Sequence, residues 1–264
     1  MKHFMLTLVS TWWISLLSAQ SLLVPIGRNA GIGSYSRHFQ QIMSVWNYPA
    51  GLSDLPAFSA GIYSENRFLL KAASLYAVMM ALPTPGGTFS GSLVRLGNNA
   101  WHQQQLSGAY GHNLGRRAGI GLQFNYESTT AQGAGTASAL SVDVGILWHY
   151  NGKVHTGLQV RKGSSKEMSY SGGAGFEASR DCLLTAMITN TGNITTIKAA
   201  VYYRLISALA LEVGMASRPA YHNAAVIFYL RSLRIDIAAG FHPQLGITPS
   251  TSLIWQPATP PAAE

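Results

Sequence analysis

The chain has 264 residues and a formal net charge of +8, yet only 11% of residues are charged while 47% are hydrophobic. About a quarter charged is usual for a soluble globular protein, and the apolar residues here are spread by alternation, with no run near the roughly 20 residues a transmembrane helix needs. No cluster of Lys and Arg exceeds two or three residues, so nucleic acid is not expected as a partner, and Cys182, standing alone, excludes an intrachain disulfide.

Residues 1–19 read as an export signal. Lys2 supplies the charge, Phe4 to Leu17 the apolar region, and Ser18-Ala19 a small-residue cleavage point. Residues 20–57 alternate poorly and contain Gly27, Gly31, Gly33 and Gly51 with Pro25, Pro49 and Pro56, which predicts irregular backbone with short helical turns. At membrane depth such backbone is tolerated only where protein or a watery cavity surrounds it. The segment is therefore expected inside a barrel, or at its periplasmic mouth, as a small plug.

From residue 58 to 256 the pattern has a period of two. About 14 strands are expected, starting near Phe58, Ala72, Thr88, Trp101, Ala118, Ala137, Val154, Ser169, Cys182, Ile194, Ala208, Tyr221, Leu233 and Thr248. The clearest are Ala118 to Glu127 and Leu140 to Tyr150, where Ile120, Leu122, Phe124 and Tyr126 take one parity and Gly121, Gln123, Asn125 and Glu127 the other. Strands of about ten residues with one apolar face fit the wall of a transmembrane barrel. The fold expected is all-β: a closed antiparallel barrel with a small N-terminal plug. Every second connection is turn-like, as at Asn151-Gly152-Lys153 and Arg231-Ser232, and would face the periplasm. Longer outward connections are expected at Thr129 to Thr136, Arg161 to Met168, Ser217 to Tyr221 and His242 to Pro249.

Register can be tested at two turns. A three-residue loop at 151–153 sets His149 opposite His155, both inward. A loop at 206–208 sets Leu205 opposite Leu209 and Tyr203 opposite Leu211, leaving Arg204 diagonal to Glu212 as an ion pair. At Arg231-Ser232 the parity leaves the register open. The strand from Ala72 to Leu82 is apolar on both faces, which suggests contact with the plug. The tail, 257–264, is rich in Pro and Ala and is expected to be disordered.

Inward parity predicts a lumen network of Glu127, Asp143, His149, His155, Lys198, Arg204, Glu212, Arg234 and Asp236. Its charges would be paired to bind wall and plug together, since unpaired buried charge is costly. The two histidines invite a metal or pH-sensing reading. No third ligand is evident, solvated imidazoles at the mouth are the plainer expectation, and neither metal nor cofactor is expected. Trp101, Tyr126, Trp148, Tyr150, Phe241 and Trp255 fall at strand ends, where aromatic girdles meet headgroups. Ala57-Phe58-Ser59-Ala60-Gly61 comes nearest to a nucleophile elbow but lacks the first Gly and the following helix, so no catalysis is expected.

The stretch Trp46, Asn47, Tyr48, Pro49, Ala50, Gly51, Leu52 resembles the Asn-Pro-Ala-Gly-Leu element near the N-terminus of FadL-type outer-membrane barrels and of secretion-associated PorV-like barrels, with Tyr48 inserted between Asn and Pro. The runs Gly61 to Phe68, Leu82-Pro83-Thr84 and Phe241 to Pro249 resemble a smaller PorV/FadL-like group. That resemblance implies a 14-stranded plugged barrel in the outer membrane of a Gram-negative-type envelope, in contact with its lipid. It leaves three readings: a PorV-like accessory subunit of a secretion or assembly system, with another envelope or secretion protein as partner; a FadL-like conduit for a small hydrophobic ligand; and a lipid-modifying barrel enzyme. Short loops and a filled lumen point to the first.

Overall fold

The computed structural model describes residues 23–29, 31–46, 48–163 and 168–257. The expected signal segment, and all of the tail after Pro257, lie outside the described residues. Fourteen antiparallel strands form one closed sheet. They are β1 (Ser59–Asn66), β2 (Ser74–Thr84), β3 (Gly87–Gly97), β4 (Trp101–Leu114), β5 (Ala118–Ala131), β6 (Gly135–His149) and β7 (Val154–Gly163), followed by β8 (Met168–Ser179), β9 (Cys182–Thr191), β10 (Ile194–Ile206), β11 (Leu209–Ser217), β12 (Ala220–Leu230), β13 (Leu233–His242) and β14 (Gly246–Trp255). Each strand pairs with its sequence neighbours, and β14 closes on β1 from Ala60↔Trp255 to Glu65↔Ser250. Closure leaves no edge whose N–H and C=O groups would go unpaired in hydrocarbon. Every predicted strand start lies within two residues of an observed one.

Alternation decides the two faces. Along β2, Tyr76, Val78, Met80 and Leu82 are exposed on the outside, whereas Leu75, Ala77, Met79 and Ala81 are buried against the plug. That accounts for a strand apolar on both faces: one meets lipid and the other meets protein.

Five sequence expectations need correction, the last of them, on the two histidines, inside the lumen. Three of the four long outward connections are replaced by short turns, because pairing continues to Ala131↔Gly135, Ser217↔Ala220 and His242↔Gly246. Polar and small residues such as Thr129, Thr130 and Thr136 break the apolar alternation without breaking the ladder, since backbone pairing beyond the lipid satisfies the same groups. The connection at 164–167 lies outside the described residues. At the β10–β11 turn Ile206, not Leu205, pairs with Leu209, with a register shift between Arg204 and Ile206 that tightens the loop to two residues. Tyr203 does face Leu211, and His149 does face His155. The open register at Arg231-Ser232 resolves as a two-residue turn with Leu230 opposite Leu233.

The third correction concerns Trp101. It shares the inward parity of buried Gln105 and Ser107 and packs against the apolar cluster under the plug, so it is no part of the outer girdle. Its place at a strand end could not reveal which way the strand was turned. Tyr126, Trp148, Tyr150, Phe241 and Trp255 are exposed on the outward side. The fourth, the absence of an Arg204–Glu212 pair, belongs to the lumen.

Candidate functional site: the plug and its seat in the lumen

The plug crosses the lumen as irregular chain with one helical turn, Ile42–Val45, and a 3-10 turn, Pro49–Asp54. Pro49 starts that turn with its φ preset and no N–H to satisfy. Trp46, Tyr48, Pro49, Ala50, Gly51 and Leu52 are all buried; Asn47 lies outside the described residues. Trp46 stacks edge-on against Tyr63 at 6.1 Å, inside a cluster with Ile42, Met43, Leu52, Met79 and Val94. The void beside Trp46 and Ile42 is about 10 Å³, room for roughly one water.

Plug backbone touches wall backbone where the wall has no side chain. A Cβ at Gly121 would fall on the Pro49 carbonyl, and one at Gly175 on the Tyr35 carbonyl oxygen. The inward glycines are thus the seats of the plug, a requirement of close approach rather than of turn geometry.

Charges fasten it at three levels. In the middle, Arg28 is buried and contacts Glu212 at 3.0 Å, Asp236 and Ser252. Burial opposes the charged form of Arg28, but the Asp236 and Glu212 carboxylates outweigh that and raise its pKa above the ordinary value. Glu212 is thereby taken by the plug, and Arg204 instead lies over the Tyr229 ring at 5.2 Å, with Arg234 also near that ring at 5.3 Å. Strand-diagonal proximity suggested the Arg204–Glu212 pair; a cation arriving from another segment displaced it. Toward the β1–β2 end, the Glu65 carboxylate accepts from the backbone N–H groups of Ile26 and Gly27, while Arg67 reaches Glu65 and donates to the Val24 carbonyl.

At the turn end the histidines form part of a relay. His149 Nε2 is 2.8 Å from Asp54 Oδ2, His149 Nδ1 is 2.6 Å from His155 Nδ1, and His155 Nε2 is 3.0 Å from Glu177 Oε1, off the axis of a linear hydrogen bond. Glu177 also accepts from Ser36 Oγ and the Arg37 N–H and contacts His38 Nδ1. Two facing Nδ1 atoms need one proton between them, and each Nε2 faces a carboxylate. Both rings are almost fully buried, which corrects the expectation of solvated imidazoles at the mouth. Among the described residues no group of three or more His, Cys, Asp or Glu could hold a metal.

All nine predicted network residues take inward parity. Asp143 is held by Arg161 through two contacts of 2.6 and 2.7 Å, Asp236 by Arg28 and Arg234, and Glu127 and Lys198 are half-buried. Sequence reasoning missed the plug-side partners Arg28 and Asp54 and the wall residues Glu65 and Glu177. Glu177 had a signal: it alternates with outward Phe176 and Ala178. The Ser59 hydroxyl donates to the Ala57 carbonyl at 3.1 Å.

Tyr35 and Tyr48 give a testable pH dependence. Burial raises both pKa values above the ordinary value near 10, and for Tyr48 the nearby Tyr35 adds to the shift. A raised folded-state pKa stabilises below the unfolded value and loses that contribution as pH climbs past about 10. Thermal unfolding, read by heat-modified gel mobility, is therefore expected to come at lower temperature at pH 11 than at pH 8. In Tyr35→Phe/Tyr48→Phe that fall should be smaller. The same variant should be less stable at pH 8 by about 1 kcal/mol, because the Tyr48 hydroxyl donates to the Ile146 carbonyl.

No family model matches the chain, and no curated protein sequence matches it. Solved structures do. The chain is similar to the CymD monoaromatic hydrocarbon channel at 9% identity and TM-score 0.67, covering 91% of this chain and 100% of that one. It is similar to the Ralstonia pickettii toluene transporter TbuX at 8% identity and TM-score 0.62, covering 87% and 97%. A Pseudomonas aeruginosa FadL homologue matches at 12% identity and TM-score 0.61, covering 88% and 97%. At such identities the likeness establishes the fold alone: the closed antiparallel barrel that this chain shares with those proteins.

Proposed function

We propose that this chain is an outer-membrane barrel of a Gram-negative-type envelope that works as an accessory subunit, offering a fixed surface to another envelope protein and conducting no solute. The observation that carries the reading is the packed plug. It is seated on wall glycines, fastened by Arg28, Asp54 and Glu65, and leaves about one water's room beside Trp46. The strand ladder supports it as well: consecutive pairs run in register around the whole ring among the described residues, with shifts only at the β8–β9 and β10–β11 turn ends.

Exposed apolar side chains at the β1–β2 end support this reading. Phe68 and Leu69 hold left-handed backbone at φ 54° and 59°, rare for large side chains, and Leu69 and Leu70 stand 64% and 57% exposed. Such strain persists only where surrounding structure enforces it; here the Phe68 N–H donates to Thr248 Oγ1. A PorV-like role in secretion or assembly is one form of this reading; the Trp46 to Leu52 stretch resembles FadL-type and PorV-like barrels alike.

The second reading, a conduit for small hydrophobic molecules, is favoured by the likeness to CymD and TbuX. Proteoliposomes separate the two. Toluene and palmitate uptake is expected to match that of empty vesicles, and uptake above that level would overturn the accessory reading. In native membranes a photocrosslinker at Leu70 is expected to yield one discrete higher-mass adduct that a crosslinker at lipid-facing Leu158 does not; equal patterns at the two sites would count against it.

A further inference from the structure

Of the ten acids in the chain, Glu167 and Glu264 lie outside the described residues, and of the remaining eight only Asp181 is exposed. The others are turned to the interior, most of them facing arginine or histidine. Exposed cations are thus left with almost nothing to neutralise them, and they are unevenly placed. The turn end carries Arg37, Arg116, Arg117, Lys153, Arg180 and Arg231, all exposed, drawn from the plug and four separate turns. None of the six forms an ion pair among the described residues. At the opposite end the exposed described cations are Lys71, Lys162 and Arg218.

Height on the barrel says what these six meet. Trp148 and Tyr150 are outward just before Lys153, and the tilted rings of Phe58 and Trp255 lie 5.6 Å apart on the same rim. Outward aromatic residues of this kind mark the headgroup level, so the cations stand at or just beyond it. Guanidinium groups match phosphate oxygens with two parallel hydrogen bonds. We infer that the turn end is a binding ring for anionic glycerophospholipid headgroups, taken from the leaflet beside it. An acidic protein is the less suitable occupant. Five of the six cations, all but Arg37 of the plug, are distributed around the perimeter beside lipid-facing rings, where lipids can reach each turn separately and one protein face would have to span them all.

The test uses the full chain in neutral detergent with brominated phosphatidylglycerol or brominated phosphatidylcholine. Trp148 and Trp255 face outward at this rim, so acyl-chain bromine quenches their fluorescence when a lipid occupies it. Phosphatidylglycerol is expected to reach half-maximal quenching at a several-fold lower mole fraction than phosphatidylcholine. That preference should fall below about twofold in roughly 0.5 M salt, which screens exposed charge, and likewise in R116Q/R117Q/K153Q/R180Q/R231Q. Equal quenching by the two lipids at low salt, the result an acidic protein partner would leave, overturns the inference. So does a preference that salt and substitution leave intact. Should the variant fail to fold, the salt series on the unaltered protein decides. No step requires the accessory role, so either reading can fail alone.

Discussion

Arg28→Ala is expected to destabilise the protein by about 3–5 kcal/mol, the cost of leaving buried charge without its partner. Removing the guanidinium strands two carboxylates, Glu212 and Asp236, each 1% exposed. Asp236 keeps Arg234 at 2.7 Å and Ser252 at 2.6 Å, so most of the loss should come through Glu212, whose second oxygen already lacks a partner. This gives a diagnostic rescue. Arg28→Met with Glu212→Gln removes both charges while keeping the volume, and should recover more than half of the loss. Urea unfolding in detergent micelles, followed by gel mobility, measures both. A single Arg28→Ala within about 1 kcal/mol of the parent would mean that the plug is held without this contact. Trypsin reports the local consequence, because Arg37 is exposed on the plug and should be cut faster once the plug is loose.

Gly121→Val should have a comparable effect through sterics alone. The new Cβ would fall on the Pro49 carbonyl and close to the Ala50 N–H, and both are main chain, with no flexible side chain to swing aside. Overpacking costs typically 1–3 kcal/mol and sometimes more, and here relief requires the Pro49–Asp54 turn to leave its seat. The barrel ladder itself is untouched, since valine favours strand geometry. The expected outcome is a barrel that still forms and resists heat partly, with a plug open to protease. If solute uptake then appears in proteoliposomes where the parent shows none, the packed plug is what closes the lumen. Gly91→Val is the control: a Cβ there meets only the Ser107 carbonyl, at 3.9 Å, so the substitution should be close to neutral.

The barrel was legible in the sequence residue by residue. Strict alternation in Ala118 to Glu127 and Leu140 to Tyr150 predicted which side chains meet lipid, and Ile120, Phe124, Val144 and Trp148 are indeed outward and exposed. Alternation is a local property of strands, so it needs no knowledge of distant contacts. It failed where a strand end gave too few residues to set parity, as at Trp101, and where polar residues continued the ladder past the apolar band, as in Thr129 to Thr136.

Composition and period by themselves determined the fold class, the count of strands, the inward set of nine polar residues and the presence of an irregular segment that had to be enclosed. Only the tertiary structure decided what that segment grips. Arg28 meets Glu212 and Asp236 across 184 and 208 residues, Asp54 meets His149 across 95, and Ser36 meets Glu177 across 141. An irregular chain has no period from which direction can be read. Its partners are selected by which buried charges and bare backbone surfaces remain once the ring has closed around it.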